Sequence, residues 1–223
     1  MNLLFKYTSR SRPDNFFRGM DSIVNNLANK EDYHILCSFD VDDKDYVNHG
    51  FVQRLSFYDN TSHYFGVSSS KIDAINRDLP LAPPFDILVN FSDDQIFTQF
   101  GFDDIIRNSF RQNFNDLDGF LHFHDGVQPR LATMSIVGKK WFDRTSCIYH
   151  SSYFSEWCDN EEQEKAKRLG KYKYMGDKVK IMMHINPYHG KPEILDDLYK
   201  RNSKFVKDDK ANYFKREALN FEL

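Results

Sequence analysis

The first 91 residues alternate between short apolar segments and a segment with helical spacing, and this alternation constrains the fold more than any other feature. Apolar residues dominate 2–8 and 33–39, and between them the stretch from Pro13 to Leu27 has apolar residues spaced three and four apart. Strand, helix and strand at this separation form a βαβ unit, which implies a parallel sheet. The nearly continuous apolar run at 86–91 is typical of a central strand that is buried on both faces.

The second half of the chain is less regular and predicts a mixed sheet. Its pattern indicates helices from Gly101 to Phe110 and over 159–169, and strands over 119–123, 131–138 and 179–185. We therefore predict an α/β fold with a mixed, mostly parallel central sheet flanked by helices. One domain is expected over 1–192, with a C-terminal helical tail over 193–223 packed on the same domain.

Composition excludes several classes of protein. The 33 acidic and 30 basic residues give a net charge of −3, so the chain is not a polycation that binds nucleic acid by bulk charge. Its three cysteines form no CxxC pair, which fits a reducing compartment. No apolar run approaches the roughly 18 residues of a membrane span, and the N-terminal apolar piece is too short for a signal peptide. These features predict a cytoplasmic protein that has no membrane partner.

Acidic side chains follow several of the predicted strands. Asp40, Asp42 and Asp43 come after the second strand, Asp93 and Asp94 after the run at 86–91, and Asp125 after 119–123. Any one of them is explained equally well as a helix cap or turn residue. In open α/β sheets, however, ligands bind at the carboxyl ends of the strands. Several carboxylates at that edge favour Mg²⁺ or Mn²⁺ shared with substrate phosphates.

At these residues the chain resembles glycosyltransferases of the GT-A (Rossmann-like) fold, closest to the large inverting group, family 2, that uses nucleotide sugars. The resemblance spans roughly residues 3 to 190. The segment Thr8-Ser9-Arg10-Ser11-Arg12-Pro13 looks like the first nucleotide-binding loop of that family, and Asp40 matches the acid that holds the base. Lys71, with Ala74, Ile75 and Asn76, resembles the "K..A.N" segment before the central strand. The resemblance thus implies nucleotide binding by Thr8, Arg10, Arg12, Asp40, Lys71 and Asp93.

The same resemblance implies a metal and diphosphate site. Ser92-Asp93-Asp94 is similar to the DxD motif, with Ser in place of the first acid, so Asp94 is expected to ligate Mn²⁺ or Mg²⁺ with Asp93 as its helper. His184 stands where many GT-A enzymes place a C-terminal metal ligand, although a structural histidine is an equal alternative. His189 and Lys191 are expected to bind the phosphates, with a solvated turn lysine as the alternative for Lys191.

An inverting transferase also needs a carboxylate that removes the proton of the attacking hydroxyl. The resemblance implies that this residue begins a helix beyond the acceptor strand, which Asp159 does. Asp159 is also explained as the cap of the helix that follows it, with Glu162 completing a pattern like a capping box. Asp125 is the competing candidate, because it too follows a strand on the acceptor side.

Trp141, Tyr153 and Trp157 belong to an aromatic cluster in the presumed acceptor region, where flat rings stack on sugars and nucleobases. Core packing is the alternative for each ring. Small transferases of this pattern resemble bacteriophage and bacterial enzymes, some of which glycosylate hydroxymethylated bases in DNA. We therefore expect a UDP-sugar donor and a DNA acceptor, in the host cytoplasm if the chain is phage-encoded, with a glycan or protein acceptor as the rival.

Two other classes of protein compete with a glycosyltransferase. A nucleotidyltransferase of related fold would need a glycine-rich phosphate loop near residue 10, where this chain has Ser-Arg-Ser-Arg-Pro. A binding module without catalysis would be expected to have lost the strand-end acids, yet Asp40, Asp93 and Asp94 are present.

Overall fold

A computed structural model describes residues 1–127, 129–185 and 196–223 of the chain. Its strands are β1 (Leu3–Thr8), β2 (Tyr33–Asp40), β3 (Thr61–Gly66), β4 (Ile87–Ser92), β5 (Gln95–Phe97), β6 (Phe120–His122), β7 (Ile136–Gly138), β8 (Tyr172–Tyr174) and β9 (Met182–His184). Its helices are α1 (Pro13–Asn26), α2 (His49–Leu55), α3 (Lys71–Arg77), α4 (Phe102–Asn113), α5 (Lys139–Phe142), α6 (Cys158–Arg168), α7 (Asp197–Ser203) and α8 (Val206–Ala218). Two 3₁₀ turns, Leu79–Leu81 and Asn220–Glu222, complete the described elements.

Seven strands form a central sheet in the order β3-β2-β1-β4-β7-β6-β8. The first four of that order run parallel, β7 is antiparallel to both β4 and β6, and β8 is parallel to β6. Helices cover both faces, because successive residues of β1 point in opposite directions and both sets are apolar. Phe5 and Tyr7 face a core that includes Phe16 and Met20 of α1, whereas Leu4 faces a core that includes Ile72 of α3. The predicted mixed α/β fold with a mostly parallel sheet is confirmed.

The back half differs from the sequence prediction in its strands. The predicted strand over 179–185 is shortened to Met182–His184, and it pairs with β5 in a separate two-stranded sheet. The strand predicted over 131–138 is reduced to β7, and the short strands β5 and β8 were not predicted. β5 and β8 have three residues each, which is too short for a period-two pattern to reveal them.

The last helix, α8, contacts the rest of the described structure through buried ion pairs and hydrogen bonds. Arg216 of α8 donates two hydrogen bonds to Glu161 of α6, at 2.7 and 2.9 Å. Asp209, also in α8, is 1% exposed. No helix within the described residues is long and apolar enough to cross a membrane.

Lys6, in the central strand β1, is fully buried and donates to Ser38, which in turn donates to Asp78. Burial lowers the pKa of Lys6 to about 8, although Asp78 opposes that shift. The unfolded lysine titrates near about 10.4, so above pH 8 the unfolded chain binds more protons and stability rises with pH.

We therefore expect the unfolding free energy of the wild type, relative to Lys6→Met, to increase by about 1 kcal/mol between pH 7 and pH 9. Urea unfolding at these pH values measures the difference, and Lys30→Met, at an exposed position, is the control. A difference in unfolding free energy between wild type and Lys6→Met that is the same at pH 7 and pH 9 would contradict the lowered pKa of Lys6.

Candidate functional site

A cavity of about 110 Å³ lies where the parallel strands β1, β2 and β4 end. Its floor comes from the segments that follow these strands, and further walls come from the start of α3 and from α7. Its lining includes Thr8, Ser9, Arg10, Arg12, Asp40, Lys71, Asp93, Asp94, Phe154, Leu198, Tyr199, Arg201, Asn202 and Phe205. All six residues predicted to bind the nucleotide therefore line one cavity.

Asp40, at the end of β2, is held between two arginines. Arg10 donates to its Oδ2 at 2.7 Å and Arg77 donates to its Oδ1 at 3.3 Å. Arg10 also binds both carboxylate oxygens of Asp42, at 2.7 and 2.8 Å. This end of the cavity therefore presents a fixed carboxylate beside a guanidinium, which suits the polar edge of a ring with neighbouring donors and acceptors.

Asp93 is buried beneath the cavity and is held by the loop that follows β1. Ser9 Oγ donates to its Oδ2 at 2.5 Å, and Arg12 Nη1 donates to its Oδ1 at 2.9 Å. Burial raises the pKa of Asp93 above its ordinary value and the adjacent charge of Asp94 adds to this, whereas Arg12 opposes it. Asp93 thus positions Arg12 and lies beneath the cavity opening.

Asp94 is the strand-end acid that meets the later elements of the chain. Its Oδ2 lies 3.2 Å from His184 Nε2 of β9 and accepts a hydrogen bond from Tyr199 of α7 at 2.6 Å. Burial would raise the pKa of Asp94, but His184 and Tyr199 outweigh burial and hold it well below its ordinary value.

His184 lies between two carboxylates. Its Nδ1 is 3.5 Å from Oδ2 of Asp125, which also accepts from Thr133 Oγ1 at 3.0 Å. Burial would lower the pKa of His184, but Asp125 and Asp94 outweigh burial and raise it to about 9. Asp125 is 1% exposed and therefore orients His184 from beneath.

A divalent metal ion fits this arrangement only with help from a bound anion. Among residues 1–127, 129–185 and 196–223, no group of three or more His, Cys, Asp or Glu side chains has the geometry to hold one. Asp94 and His184 supply two donors close together. Mg²⁺ in nucleotide enzymes is commonly held by one or two carboxylates together with substrate phosphates and water.

Lys71 begins α3 at the other end of the cavity. Burial would lower the pKa of Lys71, but nearby negative charges, including those of Glu156, Asp94 and Asp159, outweigh burial and raise it. Burial, followed by the charge of Glu156, raises the pKa of Asp159 to about 6, although Lys71 opposes this. A partly buried carboxyl with such a pKa is suited to exchange a proton near neutral pH.

A buried carboxylate of α8 fixes the segment 154–156. Asp209 accepts hydrogen bonds from the backbone N–H groups of Phe154, Ser155 and Glu156, at 2.9, 2.9 and 2.8 Å. Phe154, held in this way, lines the cavity and stacks on Phe205 with ring centroids 4.9 Å apart. Asp209 thereby connects the C-terminal helix to the wall of the cavity.

The structure does not bring all the predicted acceptor residues to the cavity. Trp141 is 4% exposed and Tyr153 is 1% exposed, and Tyr153 donates to Glu161 at 2.8 Å. Both rings are core residues, which was the stated alternative for them. Trp157 is partly buried, and its ring packs against Tyr213 and Phe214 of α8.

Sequence reasoning missed four residues that shape the cavity, namely Asp196, Tyr199, Phe205 and Asp209. All belong to a charged C-terminal stretch, in which nothing distinguishes the acids Asp196 and Asp209 from solvated neighbours. The one available signal was that Tyr199 and Phe205 are aromatic residues within a polar segment. His189 and Lys191, predicted to bind phosphate, lie outside the described residues.

Comparisons with known proteins agree with this architecture. No protein-family model matches the chain, and no curated protein sequence matches it. Among solved structures, the mannosyltransferase PcManGT from Pyrobaculum calidifontis, in complex with GDP-Man and Mn²⁺, has a TM-score of 0.67 at 13% identity, over 85% of this chain and 58% of that one. TarS 1-349 of S. aureus in complex with UDP-GlcNAc has a TM-score of 0.64 at 12% identity, over 82% of this chain and 58% of that one.

A third solved structure is similar to the chain over most of both lengths. It is 4-diphosphocytidyl-2C-methyl-D-erythritol synthase from Anaerococcus prevotii, with a TM-score of 0.52 at 12% identity over 84% of this chain and 92% of that one. The chain spans less than two thirds of the two glycosyltransferases. Its fold is that of GT-A-type glycosyltransferases, as the sequence predicted.

The role of Asp209 is testable by stability. Asp209→Asn removes the negative charge that accepts three backbone hydrogen bonds, and we expect the free energy of unfolding to fall by about 2 kcal/mol at pH 7. Urea unfolding measures the loss, with Asp208→Asn, at the exposed neighbouring position, as the matched control. Equal stability of the two variants would show that the segment 154–156 does not depend on this carboxylate.

Proposed function

We propose that the chain is a glycosyltransferase that moves a sugar from a nucleotide-sugar donor to an acceptor hydroxyl. The observation that carries this proposal is that Asp40, Arg12 and Asp94 line a single cavity at the strand ends. The described fold is one that PcManGT uses with GDP-Man and that TarS uses with UDP-GlcNAc.

The donor is proposed to lie along the cavity from Asp40 to Lys71. Asp40 and Arg10 take the polar edge of the base, and Thr8 and Asp93 support this end of the cavity from the loop and floor. Arg12 takes the diphosphate, because a guanidinium binds phosphate with two parallel hydrogen bonds. Lys71, as a compact positive charge, attracts the end of the donor that carries the phosphates and the sugar. A UDP-sugar is the proposed donor, as in the TarS complex.

Asp94 and His184 are the residues proposed to hold Mn²⁺ or Mg²⁺, together with donor phosphate oxygens. When bound, the metal supplies Lewis-acid stabilisation of the negative charge on the leaving diphosphate. His189 and Lys191 stay as predicted phosphate contacts.

Asp159 is proposed as the base that accepts the proton of the acceptor hydroxyl, with Glu156 raising its proton affinity. The oxygen then attacks the anomeric carbon, the bond to the diphosphate breaks, and the configuration inverts because no protein nucleophile intervenes. Asp125 is the less favoured candidate, because it is buried and turned toward His184.

A hydroxymethylated base in DNA is the proposed acceptor. Support comes from Trp157, whose ring has Lys210 Nζ at 5.4 Å from its centroid and the exposed Phe214 beside it. Cations interleaved with aromatic rings suit nucleic acid. A glycan or protein acceptor is the alternative, and a bacteriophage origin and cytoplasmic location stay predictions.

A nucleotidyltransferase is the second candidate function. The observation that favours it is that this chain covers 92% of the Anaerococcus synthase. The segment from Ser9 to Pro13 contains no glycine to cradle a triphosphate, which favours the glycosyltransferase. Incubation with nucleotide sugars in one set and with nucleoside triphosphates plus sugar phosphates in another separates the two functions, because release of pyrophosphate marks only the second.

The first test of the proposal is Asp94→Asn. We expect sugar transfer to fall at least about 100-fold and Mn²⁺-dependent binding of UDP to weaken about tenfold, because a metal ligand loses its charge. Transfer is measured by product mass and binding by calorimetry. Asp104→Asn, on the surface of α4, is the control, and retained transfer in Asp94→Asn would contradict the proposal.

The second test is Asp159→Asn, which removes the proposed base. We expect kcat to fall about 100-fold or more, in line with general-base catalysis, while the Kd for the donor nucleotide changes less than about twofold. Glu164→Gln, at a partly exposed position of the same helix that pairs with Arg168, should leave both values as in the wild type. If kcat of Asp159→Asn stays within a few-fold of the wild-type value, Asp159 is not the base that accepts the proton of the acceptor hydroxyl.

A further inference from the structure

Helix α7 forms one wall of the cavity, opposite the strand ends. Leu198, Tyr199, Arg201 and Asn202 from this helix line the cavity, and Phe205 follows just after it. Asp196 begins the helix by accepting a hydrogen bond from the backbone N–H of Tyr199 at 3.0 Å. The residues just before and within α7 therefore lie directly over the groups that would bind the donor.

Asp196 occupies the anion-binding side of Arg12. Arg12 Nε donates to its Oδ2 at 2.6 Å and Nη2 donates to its Oδ1 at 2.7 Å, which is a bidentate pair. The Arg12 side chain is only 9% exposed, and Asp93 binds its remaining terminal nitrogen. A guanidinium binds carboxylate and phosphate through the same fork of donors. The Asp196 carboxylate thus stands where a phosphate would bind Arg12.

Tyr199 covers the second donor-binding group from the same helix. Its hydroxyl donates to Oδ2 of Asp94 at 2.6 Å, the oxygen that also faces His184. Its ring lies against Arg12, with 4.4 Å between the guanidinium carbon and the ring centroid. Arg12 and Asp94 are therefore both engaged by this part of the chain.

Helix α7 narrows the cavity from the side opposite the strand ends, and the space left measures about 110 Å³. Since β1, β2 and β4 belong to the central sheet, the wall that can yield is α7.

The contacts of α7 are of a kind that can be exchanged. Within α7, all of which the structure describes, no residue is buried. In α8, by contrast, Asp209 and Arg216 are buried and paired with the main body. Elements with few buried contacts detach at low free-energy cost, so α7 can move while α8 stays docked.

We propose that α7 is an autoinhibitory strap, in which Asp196 and Tyr199 compete with the diphosphate of the donor for Arg12 and Asp94. This inference rests on the proposed function, since it assumes a nucleoside diphosphate ligand. It adds that the state described here is closed and that donor binding displaces the strap. Any change that weakens the strap then increases the apparent affinity for the nucleotide, because a larger fraction of the protein is competent to bind.

The test uses the full chain and two substitutions that keep the helix intact. Asp196→Asn removes the charge that binds Arg12 but keeps a good helix cap, since Asn caps as well as Asp. Asp197→Asn is the matched control, because Asp197 is 99% exposed and pairs only with Lys200 among the described ion pairs. Tyr199→Phe removes the hydroxyl over Asp94, with Tyr213→Phe as its control. Calorimetry measures the Kd of UDP and of GDP, each with and without Mn²⁺.

We expect Asp196→Asn to bind the nucleoside diphosphate about three- to tenfold more tightly than the wild type, and Tyr199→Phe to do so when Mn²⁺ is present. The two controls should bind as the wild type does. Equal or weaker binding by both test variants would overturn the strap, because α7 would then be neutral or part of the donor site. In that case the proposed function stands, since nucleotide still binds.

Hydrogen exchange of residues 197–203 without ligand provides a second readout. The strap predicts faster exchange in Asp196→Asn than in Asp197→Asn, and faster exchange in the wild type once UDP or GDP is bound. Unchanged exchange in both comparisons would overturn the strap. Failure of every protein to bind either nucleotide, even where exchange shows that α7 is released, would overturn the proposed function and the strap together.

Discussion

The guanidinium of Arg12 is the interaction on which the site depends. It leaves the loop after β1 one residue before Pro13 starts α1, and it binds Asp93 on one side and Asp196 on the other. Without this cation the carboxylate of Asp93, with only 4% of its side chain exposed, would be a buried charge supported mainly by Ser9. The ion pair of Arg12 with Asp196 brings the start of α7 over the strand ends. One side chain therefore sets both the floor and the wall of the cavity.

Much of the cavity floor could be predicted from the sequence, because parallel strands joined by crossover helices place their carboxyl ends at one edge of the sheet. The apolar runs of β1, β2 and β4 and the periodicity of α1 were enough to predict that Asp40, Asp93 and Asp94 come together. His184 was harder to place. Its strand has three residues and pairs with β5, so its approach to Asp94 depends on a small sheet that no periodic pattern indicates.

The walls were not predictable, because their residues meet partners far away in the sequence. Tyr199 and Asp94 are 105 positions apart, and Arg12 and Asp196 are 184 positions apart. Asp209 looks like any other acid of a charged helix until its three backbone partners are seen. Aromatic residues show the same limit: Trp141 and Phe154 are both large and apolar, yet the first is in the core and the second lines the cavity. Composition gives the number of aromatic rings and leaves open which of them are buried.

The charges at the cavity explain why so many acids tolerate one another. Asp40 has Arg10 and Arg77, Asp93 has Arg12, and Asp94 has His184. Each of these three acids thus has a cationic partner, and the cavity does not repel anions as an unpaired cluster would. Under the proposed function, a diphosphate that enters this site meets an Arg12 already paired with Asp196, so its binding would exchange one anion for another. The net gain in binding free energy would then be the difference between the interaction of Arg12 with the phosphate and its interaction with the Asp196 carboxylate. The proposed strap would therefore link occupancy by the donor to the position of α7 through the side chain of Arg12.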